Sequence, residues 1–191
     1  MREIIESIIE ESIALKRSFI EKNIDLIVSC GKKIADSLAS GNKIMIFGNG
    51  GSAADAQHIA AEFVNRYVVE RRPLAAIALT TDTSVLTSIG NDYSFEDVFS
   101  KQVIALGRKG DVAIGISTSG NSKNVIKAID AAREAGIYTI GLTGRGGRLA
   151  SCAEMVFAVE SDVTARIQEV HNTLGHILCD LADRYLFPDK F

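Results

Sequence analysis

The stretch KIMIFGNGGSAADAQHIAAEF, Lys43 to Phe63, decides the fold. Its opening KIMIF is apolar without alternation, too short for a helix, and reads as a strand buried on both faces. The glycines of GNGGS then interrupt the chain, and the residues beyond recur at helical spacing through Arg66, with Ser52 placed to cap the helix. The same unit returns downstream. DVAIGIS (111–117) runs into the small-residue loop STSGNS and a helix over Lys123–Ala135 that stops at Gly136. AAIAL (75–79), YTIGLT (138–143) and MVFAV (155–159) supply three more strands. Further helices are expected over Thr83–Ile89, over Phe95–Leu106 with Ser94 and Asp97 as a capping box, and over Thr164–Leu186 before Pro188. Apolar strands alternating with helices predict an α/β protein: a three-layer α/β/α sandwich around a five-stranded parallel sheet.

Upstream of this core, Ile4, Ile5, Ile8, Ile9, Ile13, Leu15, Phe19 and Ile20 mark an amphipathic helix over Glu3–Ile20. A second helix is expected over Ile24–Leu38. This N-terminal helical pair, residues 1–40, and the C-terminal helix have no obvious strand partner, and their apolar stripes call for cover by a second copy of the chain, the bland alternative being that they only wrap their own sheet. With 191 residues, 47% of them hydrophobic, one domain over 1–191 is expected. A net charge of -3 with no basic block argues against nucleic acid as a ligand. Acidic residues break every apolar run at the N-terminus, and no stretch approaches the roughly 20 residues of a membrane helix, so neither leader nor anchor is expected. Cys30, Cys152 and Cys179 are odd in number and lack metal-type spacing, which suits a reducing cytoplasm.

Both small-residue loops follow strands and precede helices, the place where open α/β sheets bind ligands. Ser117, Thr118, Ser119 and Ser122 offer hydroxyls beside free backbone N–H groups and the positive end of a helix, a setting for a phosphate monoester. The bland reading is a serine-rich turn. GNGGSA also fits GxGxxA, but no acid ends the next strand about 20 residues on, so a dinucleotide is not indicated.

His58 lies four residues before Glu62, so the two share one helix face and could serve one metal ion, or act as acid and base on one substrate. The final helix carries Gln168, His171 and His176. Gln168 and His176 are separated by about 12 Å along a helix and roughly 80° around it, whereas His171 lies nearer Gln168. Helix geometry does not choose between the two histidines as the partner.

GNGGSAADAQHIAAEF, SIGNDYSFEDVFSKQV, GISTSGNSKNVIKAI, GLTGRGG and ARIQEVHNTLGHILCDL, in this order over nearly the whole chain, resemble the phosphoheptose isomerases of the sugar isomerase (SIS) domain superfamily. The resemblance implies a flavodoxin-like SIS fold, a homotetramer, a zinc ion and conversion of sedoheptulose 7-phosphate to D-glycero-D-manno-heptose 7-phosphate for bacterial lipopolysaccharide. It implies that Ser117, Thr118, Ser119 and Ser122 hold the phosphate. Asn49, Gly50, Gly51, Ser52, Asn91 and Asp92 would line the sugar, and Glu62 and Gln168 would also touch it. His58, Glu62, Gln168 and His176 would carry the metal, leaving His171 a supporting role. Glu62 is then the expected base and His176 the acid, each also a metal ligand, which requires monodentate binding or ligand exchange.

VNRY, ILCDL and the ending LFP also resemble a non-catalytic tetrameric relative that binds the replication initiator protein. Glu62 and His176 separate the two readings, because a scaffold has no use for them. A sugar-phosphate sensor would keep STSGNS and need no Glu62.

Overall fold

A computed structural model describes residues 1–191. Five strands, β1 (Ile44–Gly48), β2 (Ala76–Ala78), β3 (Val112–Ser117), β4 (Tyr138–Thr143) and β5 (Met155–Ala158), form one sheet in the order β2-β1-β3-β4-β5. Every pairing is parallel. All residues of β1 and β3 are buried, as their unbroken apolar runs require of central strands. The short β2 and β5 are the edges.

Helices α1 (Arg2–Ala39), α2 (Gly51–Val64) and α7 (Thr164–Leu186) cover one face, where Phe19, Ile34, Phe63 and Leu174 join β1 and β3 in the core. On the other face α4 (Ser100–Leu106), α5 (Lys123–Glu134) and the four-residue α6 (Leu149–Cys152) enclose Phe47, Phe99, Ile129 and Leu149. Helix α3 (Thr83–Asp92) buries none of its residues. The expected sandwich is therefore present, and α7 spans the residues foreseen for it. No helix is long and apolar enough to cross a membrane.

The N-terminal pair is corrected to a single helix. α1 runs for 38 residues, roughly 57 Å at 1.5 Å per residue, straight through Glu21–Asn23. That polar triplet contains neither glycine nor proline, Asn23 Nδ2 donates to Phe19 O within the helix (2.8 Å), and the buried positions Phe19, Ile27, Cys30, Ile34 and Leu38 keep one helical period across it. On the first turns Ile4, Ile5, Ile8, Ile9 and Ile13 are exposed, while Arg166 Nη1 of α7 donates to Ile8 O (2.9 Å) and Ser12 Oγ to Glu169 Oε2 (2.6 Å).

Two capping expectations also fail. Gly50, at φ 56°, is the N-cap of α2, and Ser52 is buried inside the first turn against Gly48. The helix ends at Val64. Ahead of α4 the chain makes a 3₁₀ turn, Phe95–Asp97, in which the Ser94 hydroxyl accepts from Glu96 N (3.1 Å). The tighter winding moves the Ser94 hydroxyl off the N–H a capping box would use, and the Asp97 carboxylate pairs with Lys127 instead.

Candidate functional site

From β1 the chain crosses to β2 on one side, and from β3 it crosses to β4 on the other, so the carboxyl ends of β1 and β3 flank the point where strand order reverses. Both small-residue loops leave the sheet there. Two reciprocal amide hydrogen bonds tie the first loop to the helix that follows the second: Asn49 Nδ2 donates to Asn124 Oδ1 (2.9 Å) and Asn124 Nδ2, in the first turn of α5, to Asn49 Oδ1 (2.8 Å). In the second loop Ser117 Oγ meets Ser122 Oγ (2.9 Å) and Ser119 Oγ (3.4 Å), and Ser122 N donates to Ser117 Oγ (3.3 Å). Ser122 is the N-cap of α5 and makes no side-chain cap, so the helix presents free N–H groups beside gathered hydroxyls. This arrangement can bind an anion through neutral donors and the helix dipole.

A second cluster forms where α2 crosses α7. Gly175 permits the crossing, because a Cβ there would come within 2.6 Å of the Ile59 side chain. The residues beside that contact, His58 and His176, face each other with Nε2 atoms 2.8 Å apart, and Glu62 Oε1 lies 3.8 Å from His58 Nε2. All three ligand atoms fall within 4.8 Å of one another. The Tyr67 ring stacks on His176 at 5.5 Å between centroids. Two imidazoles and a carboxylate with converging atoms fit a divalent ion such as zinc, whose catalytic sites use such ligands and keep a further position open. Gln168, one turn into α7, packs on the start of α2: a Cβ at Gly51 would lie 2.9 Å from Gln168 Cδ.

Arg71 locks this crossing from below. Its Nη2 donates to Glu62 O (2.9 Å), its Nη1 to Phe63 O (2.8 Å) and Asn65 O (3.2 Å), and its Nε to Asp183 Oδ1 on α7 (2.8 Å). The guanidinium thus satisfies the last carbonyls of α2, and both charges are essentially excluded from solvent. Burial pushes the Asp183 carboxyl up, and the arginine pulls it back down.

His171 is fully buried and bonds through Nε2 to Thr143 O (3.1 Å), while Nδ1 has no partner. Its burial lowers its pKa to about 4, so it ties α7 to the end of β4 as a neutral ring. Asp55, one turn before His58, has a raised pKa from burial, opposed by a hydrogen bond with Asn172 and by His58.

The residues expected at one site therefore gather in two neighbouring groups. Asn49, Gly50, Thr118, Ser119 and Ser122 lie on the strand-end loops, with Ser117 closing β3 and Gly51 and Ser52 opening α2; His58, Glu62, Gln168 and His176 lie along the α2–α7 seam. Asn91 and Asp92 stand apart at the exposed end of α3, with Asn91 Nδ2 bonded to Asp92 Oδ1 (2.8 Å). Sequence reasoning overlooked Asp55, Tyr67, Arg71, Asn124 and Asp183. Only Asp55 carried a local signal, its spacing of three residues from His58.

The SIS domain profile matches residues 8–144. A phosphoheptose isomerase from Nitratidesulfovibrio vulgaris (Hildenborough) is 56% identical over 180 residues, covering 94% of this chain and 86% of that one. A phosphoheptose isomerase from Aquifex aeolicus is 56% identical over 184 residues, covering 96% of each chain. Among solved structures, phosphoheptose isomerase GmhA from Neisseria gonorrhoeae superposes with a TM-score of 0.90 at 48% identity, covering 95% of this chain and 98% of that one. The chain belongs to the phosphoheptose isomerase family of SIS-domain proteins.

Proposed function

We infer that the chain is an aldose–ketose isomerase converting D-sedoheptulose 7-phosphate to D-glycero-D-manno-heptose 7-phosphate through an enediol, at the entry to heptose supply for lipopolysaccharide. The observation that carries this reading is the meeting of His58, Glu62 and His176 across α2 and α7, on the same helix pair whose Gln168 packs against Gly51 at the sheet's switch point. In the forward direction a proton leaves C1 of the ketose and one is delivered to C2, while the oxygens exchange protons. Glu62 carries the carbon-bound proton; His176 hands protons to and from the oxygens. Ser117, Thr118, Ser119 and Ser122 hold the phosphate, and Asn49, Gly50, Gly51, Ser52, Asn91, Asp92 and Gln168 position the sugar. Zinc, held by His58, Glu62, Gln168 and His176, would polarise the carbonyl.

The reading extends to assembly and place. The half-exposed isoleucines of α1 pack against a second copy in a homotetramer, each gaining about 1 kcal/mol on full burial of what is still exposed. Three unpaired, buried thiols suit a cytoplasmic protein. The regulator reading loses its ground, because relatives at 51–56% identity bear the isomerase name.

Purified protein given sedoheptulose 7-phosphate should form aldose, and a chelator should suppress it. Glu62→Gln and His176→Ala should each lower turnover at least about a hundredfold. Unchanged turnover in Glu62→Gln would remove the assigned base.

A further inference from the structure

The segment GLTGRGG, 141–147, holds none of the expected site residues, yet its backbone and that of the next two residues are pressed against the hydroxyl loop. Gly144 N donates to Thr118 O (3.0 Å), Leu149 N to Gly120 O (2.8 Å) and Arg148 N to Asn121 Oδ1 (3.1 Å). At Gly147, with φ 84°, a Cβ would come within 2.6 Å of Ser119 O. Only glycine allows so close an approach. The approach sets Arg145 on the wall of a cavity of about 420 Å³ that it shares with Thr118, Ser119, Asp162 and Thr164. Arg145 is the one cationic side chain lining that cavity.

A phosphate monoester carries close to two negative charges at neutral pH, whereas the loop's hydroxyls and N–H groups are neutral donors. A full positive charge on the cavity that Thr118 and Ser119 line strengthens binding. Arg145 Nε now meets Asp162 Oδ1 at 2.9 Å, with the two side chains 59% and 80% exposed. An exposed ion pair of this kind is weak and gives way to a stronger acceptor. A phosphate offers more charge than a carboxylate, and the guanidinium fork matches its oxygens in pairs.

We propose that Arg145 is a ligand of the substrate's phosphate, held in reserve on Asp162 and transferred to the phosphate as it enters beside Thr118 and Ser119. The assignment rests on the reading of the hydroxyl loop as a phosphate cradle. Asp162 acts as a competitor that sets how tightly the cradle closes, so the pair tunes affinity without touching the reacting carbons.

The test titrates the full-length, metal-loaded protein with inorganic phosphate by calorimetry and measures steady-state kinetics on sedoheptulose 7-phosphate. Arg145→Ala should weaken phosphate binding and raise KM together, each roughly tenfold, with kcat within about twofold. Arg145→Lys should recover part of the loss, and Asp162→Asn should tighten phosphate binding about two- to threefold by freeing the arginine. Phosphate affinity unchanged in Arg145→Ala, or weakened by Asp162→Asn, overturns the assignment. Should the wild type bind phosphate yet leave sedoheptulose 7-phosphate unconverted, the isomerase reading falls while the calorimetry still decides the arginine's role. Absence of phosphate binding by the wild type overturns the cradle and Arg145 together.

Discussion

The two halves of the site are built in opposite ways. The hydroxyl loop assembles within six consecutive residues, Ser117–Ser122, and its internal hydrogen bonds span at most five positions. The His/Glu trio joins groups 118 residues apart and exists only because α2 and α7 cross at Gly175 and are pinned by Arg71 and Asp183. A locally built site inherits its geometry from the turn itself. A site built across a helix crossing inherits it from packing, so distant substitutions reach it.

That contrast can be broken most forcefully at Arg71. Arg71→Ala leaves Asp183 buried without its partner, and the expected cost is about 3–5 kcal/mol in thermal or urea unfolding. In the folded fraction, cobalt(II) titration should show metal affinity reduced at least tenfold, whereas inorganic phosphate should bind within about threefold of wild type. Equal losses at both ends would erase the distinction.

A gentler perturbation uses pH. His171 is protonated in the unfolded chain below its ordinary value of 6.5 but stays neutral in the fold down to about 4. Its contribution is therefore complete above pH 6.5 and is lost as pH falls from about 6.5 to about 4, by up to about 3 kcal/mol. Urea unfolding across that window should show the decline, and His171→Gln should flatten it.

The smallest expected effect lies at the loop end. Asn124→Ala removes the paired amides that join the loop after β1 to the start of α5 and should cost about 1 kcal/mol of stability. Phosphate binding should weaken about threefold with cobalt(II) affinity intact, the mirror image of Arg71→Ala.

The same contrast explains what the sequence made legible. Strands β1 and β3 announce themselves as unbroken apolar runs, and the loops after them as glycine and serine clusters, because these signals are contiguous. His58 and Glu62 were readable as a pair from their spacing of four. The choice between His171 and His176 was not, since it depends on which face of α7 meets α2. Arg71 reads in sequence as one of several charges in a connecting segment, and nothing local connects it to Asp183, 112 residues on. The continuity of α1 was hidden for a related reason: Glu21–Asn23 reads as a polar break, but the stripe buried on α7 resumes in phase beyond it. Ser52 misled by type, because a serine after glycines suits a cap, while the sharp turn at Gly50 had already begun the helix.

The reciprocal amides of Asn49 and Asn124 bear on how a ligand would be received. With both side chains already committed to each other, the end of β1 and the first turn of α5 are held together before anything enters the crevice. Ordering a loose backbone on association would cost roughly 1–2 kcal/mol for each residue frozen. Here that entropy is surrendered once, during folding, and a visitor to the crevice meets a rigid floor.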